Sequence, residues 1–172
     1  MRNRHFGFSL GLCAVPFLCT VPLPAKADWQ FTKWGMSVND VMKASKGIAK
    51  VTAADAAPND KVRLLAKLAM PYTTGAFAFD ATFYFDAANR LQSVHLELEK
   101  GDRHSLLGSL SAKYGEPESQ SILSASAAEI DVWRTSIDQI IFSTVGDDRF
   151  PEIAPVTFLD YRPRSDAANK GL

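Results

Sequence analysis

Cysteine is nearly absent: the 172-residue chain has two, Cys13 and Cys19, both among its first 27 residues. Beyond residue 27 no disulfide can form, and thiolate catalysis and cysteine-based metal sites are excluded together. Histidine is scarce as well, with three residues in all. No uninterrupted apolar run reaches the ~20 residues that a membrane-spanning helix needs. A Gly-x-Ser-x-Gly elbow, a His-Glu-x-x-His pair and a glycine-rich phosphate loop are all missing, and with them the common signatures of hydrolases, zinc proteases and nucleotide binders. There is no basic stripe suited to nucleic acid or anionic lipid.

What is present at the start has the form of an export signal. Arg2, Arg4 and His5 precede a mostly apolar stretch from Phe6 to Val21, and Pro22-Leu23-Pro24-Ala25-Lys26-Ala27 ends in a small-x-small pattern suited to signal peptidase. Residues 1–27 are therefore expected to be a cleaved signal peptide, with the mature chain beginning at Asp28 and residing in the periplasm or outside the cell. Leu12 and Leu18 stand before the two cysteines, where a lipid-attachment site would require a small residue. No membrane anchor is expected after processing. Removal of the signal leaves 145 residues with sixteen basic and nineteen acidic side chains, a net charge of −3. That length suits one domain, expected over residues 28–162 with a polar tail at 163–172.

Along the mature chain no repeat is visible. Ser37 can cap a helix that Gly47 stops, with Val38, Val41, Met42 and Ser45 on one face. A strand is expected over residues 61–70, with Val62, Leu64, Ala66, Leu68 and Met70 on one side, and a turn framed by Pro71 and Gly75. The clearest alternation follows: Phe77, Phe79, Ala81, Phe83 and Phe85 fall at period two, opposite Asp80, Thr82 and Tyr84. Asp86 to Arg90 reads as a tight turn. Leu91 to Glu99 is the return strand, with Val94, Leu96 and Leu98 inward and His95, Glu97 and Glu99 outward.

Asp102 can cap a second helix that carries Leu106, Leu107, Leu110 and Tyr114 on one side and ends at Gly115 and Pro117. After a polar loop, residues 129–135 and 139–145 form a hairpin, and residues 155–161 a final strand. The expected fold is α+β: an antiparallel sheet of about five to six strands with two helices on one face, in the order α-β-β-β-α-β-β-β.

The run Trp34-Gly35-Met36-Ser37-Val38-Asn39-Asp40-Val41, the phenylalanine-rich hairpin, and Lys113-Tyr114-Gly115-Glu116-Pro117 together resemble small exported α+β proteins. These are the relatives of the β-lactamase-inhibitor protein and of the outer-membrane-assembly lipoprotein BamE. The resemblance spans most of residues 29–161. It implies a binding or assembly role without catalysis, and it assigns no functional residue.

The chemistry-bearing residues are few. His95, Glu97 and Glu99 share a strand face at ~7 Å spacing, which could hold a metal ion, but no fourth ligand is evident and a solvated face is expected. His104 near Asp102 and Ser109 reads as an exposed helix-start histidine. Asp147-Asp148 beside Gly146 reads as a turn. The phenylalanine stripe is expected in the core, and Trp29, Phe31 and Trp34 are expected to pin the mature N-terminus to the domain. No catalytic group, cofactor or metal is expected.

The expected function is a non-catalytic exported module that recognises another envelope or secreted protein. The alternative is a carrier of a small apolar ligand in a cavity between sheet and helix, and a hydrolase comes third. Candidate contact residues are Trp133, Tyr84, His95, Arg63, Lys67, Glu97 and Glu99. Two placements are open for Trp133. Ile130 and Val132 inward would leave it outward beside Tyr84 and His95, whereas the usual burial of large aromatics would turn it to the core.

Overall fold

The computed structural model describes residues 29–52, 64–123, 127–146 and 154–164. The export signal, the predicted strand start at 61–63, the Asp147-Asp148 turn and the tail after Arg164 lie outside the described residues. In chain order the elements are α1 (Val38–Ala44), β1 (Lys50–Val51), β2 (Leu65–Thr74), β3 (Phe77–Phe85) and β4 (Leu91–Lys100). There follow α2 (Arg103–Tyr114), β5 (Ser119–Leu123), β6 (Ala128–Arg134), β7 (Asp138–Val145) and β8 (Val156–Pro163).

All eight strands join one antiparallel sheet in the order β1-β2-β3-β4-β8-β7-β6-β5. The expected fold class is corrected accordingly. The molecule is mostly sheet with two short helices, not five to six strands in the order α-β-β-β-α-β-β-β. Two strands escaped notice for a physical reason. β1 is two exposed residues, and β5, Ser-Gln-Ser-Ile-Leu, is exposed along its whole length, so neither carries the apolar alternation that burial of one face imposes.

A repeat of architecture accompanies these added strands. Helix plus four-strand meander occurs twice, as α1-β1-β2-β3-β4 and as α2-β5-β6-β7-β8, and the two meanders meet where their last strands, β4 and β8, pair antiparallel with Leu96 opposite Leu159.

Local chemistry sets the helix ends. The Ser37 side chain accepts from the Asp40 N–H at the start of α1, and Asp102 accepts from the Ser105 N–H at the start of α2. Gly115 (φ +84) terminates α2 and donates to the Ser111 carbonyl at 2.9 Å. Between β3 and β4, Oδ1 of Asp86 accepts from the N–H groups of Ala88 and Arg90, both at 2.9 Å, and so closes the turn. Pro71 lies past the end of β1, where β2 has one strand neighbour and a missing N–H is tolerated.

The core sits on one face, here called inner. A row running across the sheet there reads Met70, Ala81, Leu96, Leu159, Phe142, Asp131 and Gln120. Val41 of α1, Leu106 and Leu110 of α2, and Trp29 pack against this face with Phe79, Phe83 and Phe85. Trp29 meets Phe83 edge-on at 5.6 Å, and the Trp34 indole donates to the Asp138 carboxylate at 2.7 Å, which ties the 29–36 segment to β7. The described residues put no helix or strand on the opposite, outer face.

Candidate functional site on the outer sheet face

Alternation along three adjacent strands builds the outer face. β3 contributes Thr82 and Tyr84, β4 contributes Ser93, His95 and Glu97, and β8 contributes Phe158, Asp160 and Arg162. The registers place Thr82 opposite His95, His95 opposite Asp160, and Tyr84 opposite Ser93.

His95 is the centre of this group. Its Nδ1 lies 3.0 Å from Oδ1 of Asp160. A carboxylate only accepts, so this bond places an imidazole proton on Nδ1. The ring lies over Phe158 at 5.0 Å and meets Tyr84 edge-on at 6.4 Å, so three contacts hold its orientation. Burial, reinforced by the nearby Asp160 charge, pushes the Tyr84 phenol above its ordinary value and keeps it a neutral hydroxyl. Arg162 Nη2 stands 3.8 Å from the second Asp160 oxygen, a loose pairing that leaves the half-exposed guanidinium donors free for a ligand. Tyr84, His95, Asp160 and Arg162, together with Asp86 and Gln92, line an open hollow of about 650 Å³.

The hollow offers donors and acceptors. Ser93, on the same strand, is buried and directs its Oγ to the Tyr161 carbonyl at 3.2 Å. A histidine held by an aspartate is half of a hydrolytic triad, and among the described residues no serine hydrogen-bonds to this histidine.

The outer face changes character across the sheet. The row that begins with Thr82, His95 and Asp160 continues through Ile141 and Val132 to Ser119. The next row runs from Asp80 and Glu97 through Phe158 and Ser143 to Ile130. One half is therefore polar, and the half on β6, β7 and β8 presents the partly exposed Ile130, Val132, Ile141 and Phe158.

The candidate residues fare differently. Tyr84, His95 and Glu97 share the outer face. Lys67 reaches its edge from the β2 bulge and hydrogen-bonds Asn89 Oδ1. Arg63 lies outside the described residues. Glu99 sits beside the β3–β4 irregularity at Ala78 and lines a separate hollow with Asp102 and His104, so it does not join His95. Among the described residues no group of three or more His, Cys, Asp or Glu could hold a metal ion. His104 and Asp102 are 3.8 Å apart with both side chains well exposed.

Trp133 does not belong to this surface. It is 2% exposed, opposite Ile140 on the inner face, because burying an indole outweighs burying the smaller Ile130 and Val132. Asp160 and Arg162 went unnoticed in the sequence. Their signal was there, since Phe158, Asp160 and Arg162 alternate with Leu159 and Tyr161, but nothing local says that β8 lies against β4.

No protein-family model and no curated protein matches the chain. Among solved structures the chain is similar to YjgB of Bacillus subtilis, a DUF4309 family protein, with 11% identity and a TM-score of 0.46 over 82% of this chain and 84% of that one.

Proposed function

We propose that the exported part of this chain is a non-catalytic binding module that recognises another envelope or secreted protein through the outer face of its sheet. One observation carries this. A sheet face free of any described helix or strand joins an apolar patch, Ile130, Val132, Ile141 and Phe158, directly to a hydrogen-bonding hollow at His95 and Asp160. An apolar and aromatic centre flanked by polar and charged groups is the composition of protein interfaces. The contact set shifts from the sequence expectation by losing Trp133 and Glu99 and gaining Phe158 and Arg162. The resemblance carried by the Trp34–Val41 run and the Lys113–Pro117 stop implies the same kind of role.

The test is site-specific photo-crosslinking in the native compartment, followed by mass spectrometry. Probes at Glu97 and Arg162 should capture the same partner protein, a probe at Asn39 on α1 should not, and Tyr84→Ala with Phe158→Ser should weaken the capture. The reading fails if outer-face probes yield no reproducible partner, or yield the same products as Asn39. Mature protein recovered in the same experiment should begin at Asp28 and carry no lipid.

A further inference from the structure

Under α2 the inner face is not fully closed. A cavity of about 280 Å³ lies between the helix, the β2–β3 hairpin and the Trp29-Gln30 segment. Leu106, Ser109, Leu110 and Lys113 stand at i, i+3, i+4 and i+7 on one helix face and form its roof. Its depth is apolar, set by the buried Trp29, Phe79, Leu96, Leu106, Leu110 and Leu159. Gln30, Thr74, Ser109 and Lys113 are exposed and frame the mouth, while the half-buried Tyr72 and Tyr161 add their rings and hydroxyls to the wall.

The charge at that mouth has one sign. Among the described residues Lys113 is the sole charged one lining the cavity, and no carboxylate among them lines it. Lys113 makes no ion pair among the described residues, its Nζ resting 4.9 Å from the centroid of the Tyr114 ring. Close packing leaves few voids larger than a water in an ordinary core, and an apolar pocket stays dry and receptive to an apolar guest. At ~30 Å³ per water-sized group the space holds roughly ten non-hydrogen atoms.

We infer that this cavity binds a small monoanionic amphiphile of the medium-chain carboxylate class, its chain among Phe79, Leu96 and Leu106 and its carboxylate at Lys113. The site is on the opposite side of the sheet from the protein-binding face and stands independently of it.

Calorimetric titration of the purified full-length chain with octanoate tests the assignment, with octylamine as the cationic counterpart. Octanoate should bind saturably at one site and octylamine at least about tenfold more weakly. Lys113→Met should lower octanoate affinity about five- to tenfold and erase the preference over octylamine, since it removes one charge-assisted contact at a partly exposed rim. Ser109→Phe, a change at an exposed helix position, should plug the mouth and abolish binding. The assignment is overturned if the native protein shows no saturable octanoate binding. It is equally overturned if binding persists undiminished in Lys113→Met, or in a Ser109→Phe protein whose melting is unchanged.

Discussion

The indole Nε1 of Trp133 donates to the carbonyl of Gly115 at 2.8 Å, fastening the end of α2 to β6. A buried indole needs such a partner for its N–H, and a helix terminus has carbonyls to spare. Trp133→Ala should therefore lower stability by ~3–5 kcal/mol through the cavity and the lost bond together. Trp133→Phe should cost less, ~1–3 kcal/mol, because the helix carbonyl alone is left without its donor. Chemical denaturation of the two variants checks both values, and a change under ~0.5 kcal/mol, the size expected of a surface substitution, would contradict the placement.

Asp131 is buried as a consequence of Trp133. Period two sends residues 131 and 133 to the same side, so the tryptophan carries a carboxylate into the core opposite Phe142. Asp131 is 0% exposed, and neither of its carboxylate oxygens has a hydrogen-bond partner among the described residues. Replacing an unsatisfied buried polar group by an apolar one of similar size removes its desolvation penalty. Asp131→Val is expected to stabilise the fold by ~1–3 kcal/mol, seen as a higher urea midpoint at unchanged slope. A lower midpoint would show that the carboxylate is satisfied after all.

Two glycines should respond in opposite directions. Gly101 adopts φ +127, and a Cβ there would come within 2.5 Å of Phe77 Cδ1, so Gly101→Ala should destabilise by more than ~1 kcal/mol. Gly108 lies inside α2 with open space around its α-carbon, and Gly108→Ala should stabilise by ~0.5–1 kcal/mol. Thermal melts of the pair give the signs.

Acid should act through three aspartates, Asp40 and Asp102, which are exposed, and Asp86, which is half-buried. The N–H of Arg90, helped by its guanidinium charge and by Gln92, holds the Asp86 carboxyl below the ordinary value of 3.8. The Ser37 hydroxyl does the same for Asp40, and the Ser105 N–H and hydroxyl for Asp102. A carboxyl that is more acidic when folded binds fewer protons in the native state. Its contribution is present above about pH 4 and is lost as pH falls through the lower folded value. The melting temperature should hold steady above pH 5 and fall below 4. In Asp86→Asn, which keeps the turn's acceptor oxygen, that fall should be shallower, and an unchanged profile would exclude Asp86 as a contributor.

The sequence determined what depends on near neighbours. Ser37 and Asp102 mark helix starts because a short polar side chain meets orphan N–H groups two or three residues on. The Phe77–Phe85 alternation declares a strand with one buried face, and Tyr84 and His95 were legible on its far side and on that of the next strand. Tertiary structure alone decided three things. β1 and β5 exist because a neighbour offers them backbone hydrogen bonds, which no side-chain pattern records. Trp133 faces the core although Ile130 and Val132 compete for the same side, because only the assembled sheet puts Ile140 and the end of α2 there. The His95–Asp160 pair joins residues 65 apart, since two meanders must dock through β4 and β8 before an aspartate on one can orient a histidine on the other.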